Sequence, residues 1–283
     1  MILVTGAAGK TGRAIISALA AKGLPVRAMV HKEAQAETLT RTGVKVVVGD
    51  LLSERSVLEA VRGVRQIYHI CPNVSPDELT IGRCIISAAE DSRVELFVFH
   101  SVLHPQVEAM PHHWLKMRVE EALFASHLSY TIIQPAAYMQ NVTSELNAIK
   151  ERGVYRVPYS DDAPFSLVDL NDVAEAAATV LSEEGHVGAT YELAGPEIVT
   201  PRSIASVFGS LLGSEVRAER FSIESWRSRV SGLSSYQVDT LFKMFDYYDM
   251  HGLMGNPRTL QTLLGRPPAS FEEFARRLLQ QSG

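Results

Sequence analysis

A chain of 283 residues with 46% apolar and 21% charged residues can bury a sizeable core and is not a largely disordered protein. Its formal net charge of −5 comes without a long basic run, so no nucleic-acid partner is expected. No apolar run is long enough for a membrane span and the chain starts directly on a strand, which predicts a cytoplasmic protein with no membrane partner.

The predicted elements begin with Ile2-Leu3-Val4, a short uncharged run that reads as a buried parallel strand. It leads into Thr5-Gly6-Ala7-Ala8-Gly9-Lys10-Thr11-Gly12 and a helix predicted over 13–22. The spacing Gly-x-x-Gly-x-x-Gly, between a strand and a helix, is a variant dinucleotide fingerprint. Gly6 permits the tight turn, Gly9 admits a pyrophosphate against bare backbone, and Gly12 lets the helix lie close on the sheet. The first helical amides, with Lys10 and Thr11 among them, then face the phosphates. A second strand over 25–30 ends at His31-Lys32. A carboxylate at that tip would bind the ribose 2′-hydroxyl of NAD, whereas cations suit the 2′-phosphate of NADP. His31 and Lys32 therefore favour NADP, the plainer reading being a solvated surface pair.

A helix over 34–41 precedes a third strand, 44–48. Asp50 follows it, either as a hydrogen-bond acceptor for the adenine amino group or as a cap before the helix starting near Ser53. Further strands are predicted over 66–70 and 95–99, with a helix over 77–92 between them. After a helix over 115–126, a sixth strand, 130–134, is ended by Pro135. This alternation predicts a doubly wound parallel α/β sheet, a Rossmann fold. Residues 166–182 read as a helix, and Thr200-Pro201 as a helix start. The dinucleotide-binding domain is placed at 1–141 plus about 166–195, and a smaller, mainly helical substrate-side lobe at about 142–165 and 196–283. In that lobe Trp226, Phe242, Met244, Phe245, Tyr247, Tyr248 and Met250 either line an apolar pocket or pack between lobe and sheet. Cys71 and Cys84 fall in predicted core elements as reduced thiols, and no metal site is expected.

Together these stretches resemble the NmrA-like branch of the atypical short-chain dehydrogenase/reductases, which includes isoflavone-reductase-like, triphenylmethane-reductase-like and quinone-oxidoreductase-like proteins. Carrying the resemblance are residues 4–12, Gly49-Asp50-Leu51, Lys116 with 120–123, 129–135, Tyr138-Met139-Gln140-Asn141 and 169–174. Late in the chain, 251–253, 264–268 and 271–274 add to it. The resemblance implies cofactor contacts at Leu51, Pro135 and Tyr138 in addition to the fingerprint, and a place for Lys116 opposite the nicotinamide ribose. It also exposes two departures. His31 stands where such proteins often carry arginine, and the Tyr-x-x-x-Lys pair of the wider family is His112-His113-Trp114-Leu115-Lys116. The phenol that normally gives a proton to a reduced carbonyl is absent.

Ser101 at the end of the fifth strand, His112 and His113 are the candidates to replace it, since histidine can donate a proton near neutral pH. Alternatively, an acceptor of the quinone or extended cationic type takes hydride directly and is protonated by water. The expected function is an NAD(P)H-dependent reductase of a small or medium apolar acceptor. A non-catalytic dinucleotide sensor is the alternative, and a sugar-nucleotide epimerase a weaker third. The small-molecule acceptor is the expected partner, with a homodimer left open.

Overall fold

The computed structural model describes residues 1–40, 43–222, 226–227 and 232–281. The chain divides into two compact units. The first comprises Met1–Gln106, His112–Gln134 and Val173–Tyr191, and the second Val107–Pro111, Pro135–Asp172 and Glu192–Gly283.

The first unit is built around strands β1 (Ile2–Val4), β2 (Val26–Val30), β3 (Lys45–Val48), β4 (Gln66–His69), β5 (Leu96–His100) and β6 (Tyr130–Pro135). A seventh strand, β8 (Thr190–Leu193), completes the sheet in the order β3-β2-β1-β4-β5-β6-β8. The register is parallel from β3 through β6, so every one of these strands ends at the same edge. Strand order reverses at β1, because β2 and β3 lie to one side and β4 to the other. Open α/β sheets bind ligands in the crevice at such a reversal, outside the carboxyl ends of the strands.

The connecting helices are α1 (Lys10–Ala21), α2 (Glu33–Thr40), α3 (Glu54–Val61), α4 (Glu78–Asp91), α5 (Pro111–Phe124) and α7 (Leu170–Ser182). Leu3, Ile67, Phe97 and Phe99 of the sheet pack with Val57, Ile85, Val119 and Leu123 of α3, α4 and α5. Each such buried side chain contributes about 1.5–3 kcal/mol before the entropy of ordering is subtracted. Helices α4 and α5 approach closely at Gly82, where a Cβ would lie 2.7 Å from both methyls of Val119. β3 is one of the sheet's two edge strands, and Lys45 and Val48 are exposed on it.

The second unit holds a 3-10 turn (Met139–Glu145), α6 (Leu146–Arg152), β7 (Val154–Val157), α8 (Pro201–Leu212) and β9 (Arg217–Arg220). Among the described residues, helices α9 (Ser235–His251), α10 (Arg258–Leu264) and α11 (Phe271–Gln281) lie further along the chain. β7 and β9 pair in parallel as a small second sheet, a feature the sequence pattern did not disclose. Thr200 caps α8 with a reciprocal bond to Ser203, and Pro201 is at the first helical position, as its sequence signals. Among the described helices none is long and apolar enough to cross a membrane.

Several expected boundaries shift. α1 begins at Lys10 and not Arg13, so the end of the fingerprint is already helix. α5 begins at Pro111, four residues before the expected Leu115, with proline at its first position, where no amide is needed. The helix expected from Ser166 begins at Leu170, because 165–168 is extended. Phe165 bridges Val199 and Leu253 there, and Val168 bridges Tyr138. α2 ends at Thr40, and the expected last residue, Arg41, lies outside the described residues. Cys71 is buried, but Cys84 is only half-buried.

The aromatic set resolves into packing. Tyr159, Phe165 and Tyr248 form mutual ring contacts, and Trp226 meets Phe242 and Phe245 edge-on. Met250 is 71% exposed and takes no part in a core.

Candidate functional site

The fingerprint folds into a backbone cradle. Gly6 sits at φ 59°, a left-handed conformation that only glycine adopts cheaply, and a Cβ on it would lie 2.9 Å from the Ile70 carbonyl. Gly12 is just as constrained, since its Cβ would come 2.4 Å from the Gly6 carbonyl and 2.6 Å from Ala7 Cα. The neighbour that requires Gly12 is therefore the fingerprint loop itself, in place of the sheet expected from the sequence. Gly9 differs. It has ordinary φ of −72°, and the nearest atom to its Cβ would be the Gly6 carbonyl at 3.3 Å. Gly9 is thus the least enclosed of the three, with one close backbone neighbour. The amides of Lys10, Thr11 and Gly12 precede the first helical bond, from Arg13 N to Gly9 O at 3.0 Å, and stand at the positive end of α1. A pyrophosphate needs such a surface.

Thr5 fastens this cradle to the next strand, a role not anticipated from the sequence. Its Oγ1 accepts from Ile70 N at 2.8 Å and lies 2.9 Å from His69 Nδ1, bridging the ends of β1 and β4 where strand order reverses. Further along the edge, His31 and Lys32 are exposed at the tip of β2, and their amides both donate to Gln35 Oε1. Asp50 is exposed after β3. Its Oδ1 accepts from Leu52 N at 3.0 Å, while Ser53 caps α3 by accepting from Ser56 N. The capping role is thus shared, with Asp50 ordering the turn that carries half-buried Leu51.

On the other side of β1, the ends of β4 and β5 and the buried face of α5 gather a polar cluster. Lys116, 6% exposed, donates to Glu78 Oε1 at 2.9 Å and to the His100 carbonyl at 3.3 Å, with its ammonium 5.4 Å from the centre of the Phe99 ring. Glu78 is fully buried at the first turn of α4, and its second oxygen has no hydrogen-bond partner among the described residues. One turn along α5, Glu120 accepts from Gln134 Nε2 at 2.9 and 3.0 Å and from Ser101 Oγ. Burial raises the Glu120 carboxyl above the usual range, while Ser101 and Gln134 pull it back down. Two donor groups making three contacts to the two oxygens suit a carboxylate.

The expected proton donors are placed here too. His112 is buried one turn before Lys116, with Nδ1 unpartnered, and His113 Nδ1 lies 3.3 Å from the His104 carbonyl. Burial pushes His113 down to about 4 and holds His112 well below the ordinary imidazole range, with Lys116 adding to both. The expectation of a histidine that gives up a proton near neutral pH is corrected by this burial, because both rings are neutral there. His69 and His100 are likewise pushed down to about 3, and Tyr68 Oη lies 2.6 Å from His100 Nδ1. Burial first, and Glu78 second, push the Cys71 thiol up, so it is inert as a nucleophile.

The structure thus brings Ser101, His112, His113 and Lys116 together around β5 and α5, and the fingerprint with His31, Lys32, Asp50 and Leu51 along the rest of the first unit's sheet edge. Pro135 ends β6, and Tyr138, in the second unit, pairs with Val168. Glu78, Glu120 and Gln134 were not among the expected site residues. His112, Lys116 and Glu120 recur every fourth residue and so share one helical face, a signal that could have found Glu120. Glu78 is an ordinary acidic residue in a first helical turn, and nothing in the sequence ties it to Lys116.

The sequence profile of the NmrA-like family matches residues 1–275. The NAD(P)H azoreductase of Xenophilus azovorans is 28% identical over 283 residues, covering 98% of this chain and 97% of that protein. Quinone oxidoreductase 2 of Escherichia coli (strain K12) is 28% identical over 278 residues, covering 96% of each. Its crystal structure in complex with NADPH superposes with a TM-score of 0.86 over 99% of this chain and 100% of that one, at 27% identity. The Citrobacter sp. triphenylmethane reductase complexed with NADP(H) has a TM-score of 0.86 at 26% identity, covering 98% and 99%.

Proposed function

Because the chain belongs to the NmrA-like family, we propose that it is an NAD(P)H-dependent reductase passing hydride to a small or medium apolar acceptor of the quinone or dye type. The observation that carries this reading is the cradle, in which Gly6 and Gly12 are demanded by the fold while Gly9 is less enclosed, its Cβ position meeting the Gly6 carbonyl at 3.3 Å. Such a backbone surface beside unpaired helix amides fits a dinucleotide pyrophosphate.

When bound, the dinucleotide supplies the hydride. The chain's own residues hold and orient it: the amides of 10–12 take the pyrophosphate, Asp50 and Leu51 border the adenine, and Lys116 meets the nicotinamide ribose. The exposed pair His31 and Lys32 supports NADP over NAD, as cations for the 2′-phosphate. Since burial keeps His112 and His113 neutral, neither is charged to protonate a reduced acceptor at pH 7. This favours acceptors that take hydride directly, with the later proton coming from water or by way of Ser101.

The test is the loss of NADPH absorbance with a panel of quinones and cationic dyes. Turnover with either class is expected. Tight binding of NADP and NADPH without turnover on any acceptor would overturn the reductase and leave a sensor.

A further inference from the structure

A buried ammonium and a buried carboxylate in direct contact form a unit of no net charge, and in this chain Lys116, the lysine of the wider family's Tyr-x-x-x-Lys pattern, belongs to such a unit. Lys116 and Glu78 are 2.9 Å apart, with side chains 7% and 0% exposed. The buried histidines nearby, His69, His100, His112 and His113, add no charge near neutral pH. Glu120, one turn away, also acts on Lys116 through its charge, but burial raises its carboxyl and its oxygens are held by the neutral donors Ser101 and Gln134, whereas Glu78 is in direct contact with the ammonium. Without Glu78, the ammonium would lose the carboxylate in direct contact with it, in surroundings too dry to screen what remains.

We propose that Glu78 determines acceptor specificity by cancelling the charge of Lys116, so that the site admits cationic acceptors as readily as neutral ones. This rests on the reading of Lys116 as the residue beside the nicotinamide ribose. The physical step is short. Lys116 keeps one of its three N–H groups for the ribose, because one bond goes to Glu78 and one to the His100 carbonyl. Its charge, which would repel a cationic dye arriving at the hydride, is neutralised from the buried side by a carboxylate that touches neither ligand. With no phenol to activate, the reaction loses nothing when that charge is cancelled. Glu78 is therefore a positioning and specificity residue and Lys116 the group in contact with the cofactor.

The experiment is a charge series read as a ratio. Wild type, Glu78→Gln, Lys116→Gln and the double variant Glu78→Gln/Lys116→Gln are each assayed with NADPH against a cationic triarylmethane dye and a neutral benzoquinone. The quantity compared is kcat/KM for the dye divided by kcat/KM for the quinone. Relative to wild type, Glu78→Gln leaves the site one charge more positive and is expected to lower the ratio roughly tenfold, as one unscreened charge several ångströms away would. Lys116→Gln is expected to raise it, and the double variant to return it to within about threefold of wild type. Glu78→Asp keeps the charge and is expected to keep the ratio, which preserves the test if Glu78→Gln folds poorly.

An equal loss on both acceptors in Glu78→Gln, or a double variant with the ratio of Glu78→Gln, would overturn the proposal and leave Glu78 as a fold residue only. Undiminished NADPH affinity and turnover in Lys116→Gln is a separate result. It would overturn the placement of Lys116 beside the cofactor, and the charge cancellation with it.

Discussion

At the β1–α1 turn the proposed ligand surface is backbone, shaped by three glycines within seven residues of each other. At the β5–α5 end it is made of side chains drawn from segments far apart in the chain, with Glu78 and Lys116 separated by 38 positions and Ser101 and Glu120 by 19. The first kind of surface leaves a pattern in the sequence, because a position that cannot carry a Cβ must be glycine. The second leaves none, because a glutamate that will be buried against a lysine is written like a glutamate in any helical first turn. The two regions also differ in what sustains them. The cradle depends on shape, and the cluster depends on buried charges remaining matched.

That contrast can be broken at either region. The largest effect is expected from Lys116→Ala, which leaves Glu78 buried without its partner at a cost of about 3–5 kcal/mol and weakens cofactor binding and turnover together. Denaturant titration with NADPH calorimetry measures both, and a variant as stable as wild type would mean that the pair is not electrostatically confined. Next comes Gly12→Ala, whose methyl would press on the Gly6 carbonyl and Ala7 Cα. A loss of about 3 kcal/mol is expected, with dinucleotide binding lost through collapse of the loop. Normal melting of this variant would contradict the packing reason for the third glycine.

The cluster also sets a pH dependence that the cradle does not share. His69 and His100 titrate at about 3 in the fold and His113 at about 4, against about 6.5 when unfolded. Between those limits the unfolded chain binds more protons, so stability rises with pH and is lost as pH falls below about 6.5. The slope is up to about 1.4 kcal/mol per pH unit for each histidine. Glu120, raised by burial, opposes them with one group. Melting temperature measured from pH 7.5 to pH 5 is expected to fall, and His113→Asn is expected to flatten the curve. An unchanged melting temperature over that range would show that these rings are solvated.

How much was legible follows from the same division. Alternating apolar runs and helix signals disclosed the sheet and its topology through β6, and the glycines disclosed the cradle. Thr200-Pro201 disclosed the start of α8. The stretch 166–169 read as helix because its composition is neutral between states. It is extended because Phe165 and Val168 bridge Val199, Leu253 and Tyr138, partners that local pattern cannot supply. β7 and β9 escaped for a related reason, since they pair only with each other and across more than fifty intervening residues. Lys116, His112 and Ser101 were named through the family resemblance, but their partners were not. Burial, which turned the two histidines from expected acids into neutral rings, is a property of the packed molecule and of no short segment.

A smaller effect is expected at the tip of β2, where the surface is exposed and partly screened. Replacing His31 and Lys32 with Asp and Ala is expected to shift the ratio of NADP to NAD dissociation constants roughly tenfold towards NAD, about 1.4 kcal/mol. An unchanged ratio would make the pair a solvated surface feature.

The most direct measurement is NADPH binding by calorimetry to Gly9→Asp. Only the Gly6 carbonyl, at 3.3 Å, lies near a Cβ at this position, and φ is ordinary, so the fold is expected to survive with a melting temperature within about 4 °C of wild type. Affinity is expected to fall at least about 100-fold, because a carboxylate then occupies the bare backbone where the pyrophosphate must lie. A folded Gly9→Asp protein that binds NADPH as tightly as wild type would contradict the assignment of the cradle to the dinucleotide.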